Sequence, residues 1–327
     1  MASQKKTRLW LLFNLLGPSL GLFLVIGLFC LSSEVRPVLL TGGNIKNVLT
    51  QTVVVAIGAL GMTMIIVSGG IDLSVGSVIA LTSVVGATLL VDSFSPLTAA
   101  TLTILAGGCI GLLNGVLISG LRMMPFIVTL GMMGVARGTA KWLSKSQTVN
   151  PDINNPINRI MDPSGELTAR LLFPPGVWIA VSLAILLTIV LRNSVFGRYI
   201  FAMGGNEIAT RYSGVRVGLH KVMVYAVAGI FFGIAGLMQL SRITQGDPSG
   251  ANGTELDIIA AVVIGGASLN GGTGSVLGSM IGALIMAVLR NGSSQMGWPT
   301  YMQEIIIGGV IVLAVGLDKF RQKRAEK

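Results

Sequence analysis

The chain has 327 residues, of which 52% are hydrophobic and only 11% charged, with a mean hydropathy of +0.79. Soluble domains carry about 25% charged residues, so a water-facing surface cannot be built from this composition. The net charge of +10 fits lysine and arginine gathered in the cytoplasmic loops of a membrane protein, and no basic patch with interleaved aromatics points to nucleic acid.

Apolar runs between charged, glycine, proline and asparagine residues define about ten spans, at residues 9–31, 52–68, 75–91, 97–119, 126–141, 176–191, 221–240, 257–268, 274–290 and 301–317. Lys5, Lys6 and Arg8 precede the first run in the manner of a signal peptide. That run is longer than the roughly 7–15 apolar residues of a cleaved core and no A-x-A site follows, so it reads as a retained span. Residues 41–51 are more polar than a span and read as a short surface helix. The runs at 126–141 and 257–268 are short enough to be tilted, broken or re-entrant.

Two glycine-rich breaks resemble each other, GGIDLSVGS at 69–77 and GGASLNGGTGS at 265–275. Each pairs two glycines with a leucine four positions after the first and ends in Gly-Ser, which suggests a duplicated helix-break-helix unit. Glycines at four-residue spacing, Gly107, Gly111 and Gly115, then Gly229 and Gly233, then Gly278 and Gly282, permit helices to cross closely in lipid. Cys30 and Cys109 lie in apolar runs without CxxC spacing and read as small buried hydrophobes.

Asp72 lies between two apolar runs and has two readings. It caps or turns the chain into the following helix, or it belongs to a polar path or its gate, where a carboxylate is costly and therefore functional. Asn114, Arg137 and Glu304 also sit at or near apolar runs and face protein, a cavity or the interface. Further weak polar groups that would line such a path are Ser68, Ser74, Ser268 and Asn270.

Catalytic and metal chemistry find no constellation. His220 is the single histidine, so neither a His-based triad nor a multi-histidine metal site can be assembled. No Gly-Lys dipeptide occurs, which removes a Walker-type ATP site, and HExxH, GxSxG and paired CxxC are absent. A relay of intramembrane acids and histidines is lacking too, which counts against the alternative of an ion-coupled secondary transporter.

An even number of spans puts both ends on one side. Lys5, Lys6 and Arg8 at one end and Lys319, Arg321, Lys323, Arg324 and Lys327 at the other make that side cytoplasmic. The segment 192–220 falls there as well, with Arg192, Arg198, Arg211 and Arg216 against Glu207. Within it Gly204, Gly205 and Asn206 stop one helix and start another, Glu207 occupies a first turn, and Gly214 ends it, giving an exposed helix suited to docking a soluble partner. The segment 142–175 falls outside and mixes Lys145, Arg159 and Arg170 with Asp152, Asp162 and Glu166.

Three stretches, GMTMIIVSGGIDLSVGS at 61–77, GRYIFAMGGNEIATRYSGV at 197–215 and ELDIIAAVVIGGASLNGG at 255–272, resemble the permease subunit of ribose-type monosaccharide ABC importers. The likeness runs over nearly the whole chain. It implies a single all-α transmembrane permease domain over 1–327, with an arrangement like that of the vitamin B12 importer permease, in the inner membrane. It also implies a second permease chain, identical or related, a sugar-binding protein outside, and cytoplasmic ATPase subunits that hold ATP and Mg, with no cofactor on this chain. The resemblance makes 192–220 the coupling loop, with Gly205, Asn206, Glu207, Ala209, Arg211 and Gly214 as its contact set. Its spacing here is E-x-A-x4-G where the general motif is E-A-A-x3-G, so one position is displaced.

Overall fold

The computed structural model describes residues 17–325. Lys5, Lys6, Arg8 and Lys327, and the part of the first span before Gly17, lie outside the described residues. Every regular element among those described is helical apart from an isolated antiparallel bridge between Val149 and Gly246. In chain order the α-helices are α1 (Gly17–Cys30), α2 (Arg36–Leu39), α3 (Gly42–Val67), α4 (Val75–Val91), α5 (Pro96–Gly120), α6 (Pro125–Leu143) and α7 (Glu166–Leu171). After α8 (Pro175–Asn193) come α9 (Val195–Gly205), α10 (Glu207–Tyr212), α11 (Val217–Ile243), α12 (Thr254–Ile264), α13 (Val276–Gln295) and α14 (Thr300–Ala325). Five of them, α3, α5, α8, α11 and α13, are long and apolar enough to cross a membrane, so the chain is an all-α membrane protein.

Helix α3 is the axis of the bundle. Its apolar stretch is 89% buried, against 22% for α8, which places α3 among its neighbours and α8 on the perimeter. This corrects the reading of 41–51 as a separate surface helix. No breaker interrupts the chain after Thr41, whose hydroxyl accepts from the Asn44 N–H, and although Thr41 and Asn47 are exposed, Asn44 and Thr50 are buried. Asn44 donates to Leu39 O and accepts from Gln295, and the Thr50 and Thr52 hydroxyls bond back to carbonyls one turn earlier. Thr63 and Ser279 join α3 to α13 through hydroxyls 2.7 Å apart.

Without a hydrophobic drive between helices in lipid, association depends on close packing. The antiparallel pair α5 and α11 achieves it through glycine. A Cβ on Gly111 would strike the Tyr225 carbonyl and lie 2.8 Å from Gly229 Cα, and one on Gly107 would strike Gly229 O and lie 2.7 Å from Gly233 Cα. Gly115 faces Val222 in the same way. Gly278 and Gly282 of α13 seat against the Gly265 and Ala261 carbonyls of α12. The four-residue stripes are thus helix contact faces. Cys109 lies beside the α5 stripe and is exposed, contrary to its reading as a buried hydrophobe, because it is off the face of α5 that carries the stripe and meets the bundle; Cys30 is half-buried.

Helix α6 is continuous over 19 residues, so it is not broken. Helix α12 is the short one, with 11 residues before it stops at Gly265. Segment 144–174 folds back onto the bundle through Ser241, which donates to Ile157 O and accepts from Met161 N.

Gly111→Leu forces α5 and α11 apart, and overpacking of this kind costs about 1–3 kcal/mol or more. The detergent-solubilised variant should unfold at a clearly lower temperature, whereas Gly131→Leu, where a side chain meets nothing within 4 Å, should not.

Candidate functional site

Three distant stretches of the sequence meet at one end of the bundle. Helix α3 stops in a turn where the N–H groups of Gly69 and Gly70 bond to Ile66 O and Ile65 O, and α12 stops identically, with Gly266 and Ala267 bonding to Val263 O and Val262 O. Both turns require a left-handed residue, supplied by Gly69 (φ 86°) and Gly266 (φ 92°). The two breaks are therefore the same structural unit, with Gly69 matching Gly266, one position later than the sequence pairing. They lie side by side, and the Gly272 N–H donates to Val67 O at 2.9 Å.

Into this meeting point comes the last turn of α9. A Cβ on Gly204 would collide with Val67 O and Gly272 N, and one on Gly271 would lie 2.8 Å from Gly204 O and 2.9 Å from Gly69 Cα. Backbone touches backbone among Val67, Gly69, Gly204, Gly271 and Gly272 with no side chain between. Ser68 and Ser268 are buried beside this junction, Ser68 bonding back to Ile65 O, while Asn270 is exposed on it.

Asp72, Ser74 and Asn114 form a separate buried cluster. Asp72 Oδ1 accepts the Ser74 N–H at 2.8 Å and its hydroxyl at 2.6 Å, and Asn114 of α5 donates to Asp72 Oδ2 at 3.3 Å and Ser74 Oγ at 3.1 Å. Thr129 of α6 accepts the Leu73 N–H at 3.2 Å. The break before α4 is thereby pinned from two neighbouring helices. Arg137 donates to Pro248 O and Gly250 O and so anchors the segment between α11 and α12, and Glu304 is exposed one turn into α14.

Segment 192–220 holds two helices rather than one exposed helix, since Ser194 caps α9 by accepting from Gly197 N–H. Asn206 ends α9 and caps α10 by accepting from Ala209 N–H at 2.9 Å, and Gly214 (φ 84°) turns the chain toward α11. Glu207 pairs with Lys221 at 2.6 Å and Arg211 at 3.1 Å, which ties α10 to the first turns of α11. Burial works against the Glu207 charge, but the Lys221 hydrogen bond and the two cations outweigh it and hold the carboxyl below its ordinary value. The ion triad is accordingly complete at neutral pH and is lost only as pH falls through that lowered value. His220, the single histidine, packs its ring edge-on against Tyr199.

At the opposite end of the bundle lies a polar cavity of about 390 Å³ that no motif announces. Its walls include Gln51, Gln239, Arg242, Asp257, Arg290 and Gln303, from five helices. None of Ser68, Asp72, Ser74, Asn114, Ser268 or Asn270 borders it.

The family described as branched-chain amino acid transport system / permease component matches residues 44–315. The chain belongs to this family. The permease is 38% identical to the ribose import permease protein of Escherichia coli strain K12, over 92% of this chain and 94% of that one. It is 36% identical to the L-arabinose ABC transporter permease protein of Azospirillum brasilense, over 97% and 92%, and 32% identical to the D-allose transport system permease protein of Escherichia coli strain K12, over 98% and 97%. No solved structure matches it. A permease component carries solute and is not an enzyme.

In this permease Gly204→Ala should displace α9 from the breaks and cut transport roughly tenfold, the equivalent of about 1.4 kcal/mol. Gly134→Ala, which meets nothing within 4 Å and lies outside segment 192–220, should transport normally, and comparing the two variants at equal membrane abundance checks this.

Proposed function

We propose that the chain is the translocating subunit of an ATP-driven monosaccharide importer, with α9 and α10 as the surface on which cytoplasmic ATPase subunits dock. The observation that carries the reading is the junction at Gly204. A displacement of the docked hairpin has no side-chain cushion to absorb it before it reaches the ends of α3 and α12. Gly205, Asn206, Glu207, Ala209, Arg211 and Gly214 form the docking set. Ser68, Asp72, Ser74, Asn114, Ser268 and Asn270 act where the breaks open and close the path.

Sugar as the solute class is supported by the ribose, arabinose and allose names of the relatives, although the family takes its description from branched-chain amino acid systems. Ten crossings, by α1, α3, α4, α5, α6, α8, α11, α12, α13 and α14, alternate in direction and leave both termini on the side of the hairpin. Arg192, Arg198, Arg211, Arg216 and Lys221 make that side cytoplasmic in an inner membrane. A single domain of the vitamin B12 importer permease type accommodates this count. The polar cavity then faces the external binding protein, a second permease chain completes the path, and ATP and Mg belong to the ATPase.

Proteoliposomes holding the chain with its ATPase and binding protein should take up a monosaccharide only when ATP is supplied to the ATPase side. Glu207→Lys should insert normally but lose the ATPase on co-purification. Uptake driven by an ion gradient alone would reject the importer, and an undiminished amount of ATPase on the variant would reject the docking surface.

A further inference from the structure

We propose that a second cavity, between the end of α5, helix α10 and the start of α11, binds the phosphodiester headgroup of an anionic phospholipid. Its volume is about 440 Å³, and its walls include Ser119, Arg122, Glu207, Arg211, Arg216 and Lys221. That lies within the roughly 300–1,000 Å³ of small-molecule sites.

Four cations share this cavity with one carboxylate, an excess of positive charge that the protein does not neutralise. Glu207 is already engaged, its Oε1 by Arg211 at 3.1 Å and its Oε2 by Lys221 at 2.6 Å. Both of those cations retain further donors. Arg122 and Arg216 form no ion pair among the described residues. Helix α11 adds to the charge, because it begins at Val217 without a side-chain cap and lines the cavity at Gly218, so the positive end of its dipole opens on the same space.

Basic residues ordinarily gather on one face of a membrane protein as solvated charges. Here they converge instead on one concavity from the α5–α6 turn, α10, the α10–α11 turn and α11. Guanidinium groups pair with phosphate oxygens through two parallel N–H donors, so unpaired arginines at such a place suit a phosphodiester. A zwitterionic headgroup would bring an ammonium into a cationic cavity whose single carboxylate is engaged, which excludes it in favour of an anionic one.

The surface leading out of the cavity makes the ligand a lipid and not a free anion. Helices α5 and α11 are long and apolar enough to cross a membrane, Arg122 lies two residues past the end of α5, and Lys221 lies in the first two turns of α11. The cavity therefore opens where two crossing helices leave the hydrocarbon. On α5, Ser119 shares a face with Val116 and Leu112, three and seven residues back, and with Leu105 seven further. Leu105, Leu112 and Val116 are exposed. They form an apolar strip of roughly 21 Å ending at Ser119, long enough for one leaflet's share, about 15 Å, of the hydrocarbon core. A phosphate held at the arginines would thus have its acyl chains laid along α5, and the bound lipid would tie the α5–α6 turn to α10 and α11.

The test is native mass spectrometry of the full chain in detergent with phosphatidylglycerol, phosphatidylcholine or inorganic phosphate added at equal concentration. Wild type should hold phosphatidylglycerol about tenfold more tightly than phosphatidylcholine. Arg122→Gln combined with Arg216→Gln, which leaves both Glu207 pairs intact, should abolish that preference. Arg192→Gln combined with Arg198→Gln removes the same charge from segment 192–220 outside the cavity and should not. Leu112→Ser combined with Val116→Ser, on the strip alone, should weaken phosphatidylglycerol several-fold. Equal losses in the two arginine pairs would reduce the effect to bulk charge and overturn the site. Full retention in the strip variant, or displacement of phosphatidylglycerol by inorganic phosphate, would overturn the lipid as the source of the phosphate. Release of phosphatidylglycerol on addition of the ATPase would assign the arginines to that protein and overturn the lipid site as well.

Discussion

Backbone meeting backbone is the contact on which this structure depends. In lipid no hydrophobic gain rewards a helix for leaving the bilayer to join another helix, so cohesion comes from dispersion and from hydrogen bonds at short range. Glycine shortens the range most. At α5 and α11 it lets one helix lie directly on the carbonyls of the other, and at α12 and α13 it does the same. At the junction of Val67, Gly69, Gly204, Gly271 and Gly272 it brings two helix ends and the tip of a third helix into one contact. A side chain can rotate away from a push, but a peptide group bonded at both ends cannot.

The same constraint explains what was legible in the sequence. Gly107, Gly111 and Gly115 were readable as a contact face because a four-residue period keeps them on one side of a helix, though nothing in that period named α11 as the partner. Asn206, Glu207 and Gly214 were readable because capping is local chemistry. The kinship of the two breaks was readable to within one residue: the shared leucine, Leu73 and Leu269, matches Gly69 with Gly265, whereas the left-handed glycine that closes each turn matches Gly69 with Gly266.

Illegible were the features set by helix rotation. Gln51 and Asn44 were polar letters in a stretch that looked like a surface, and only the depth of α3 in the bundle turns them inward. Gln239, Arg242, Asp257 and Arg290 come from the ends of three helices, and no periodicity brings them to one cavity. Asp72 stood out as an isolated acid, but its oxygens are occupied by Ser74 and Asn114, whereas the less conspicuous Asp257 keeps a free oxygen.

Two rigid lengths connect the ends of the molecule. Helix α3 runs without a break from the junction at Val67 to Gln51 at the cavity, and at 1.5 Å per residue that stretch covers roughly 24 Å. Helices α12 and α13 form a second such unit, locked by Gly265 against Gly278 and by Ala261 against Gly282. The first unit carries Gln51 and the second carries Asp257 and Arg290, so opposite walls of the cavity belong to bodies that touch at the Gly204 contact. On the importer reading, a wedge driven at that contact would pivot the two units about the Thr63–Ser279 bond that joins them and, each unit being stiff, would change the distance between the cavity walls.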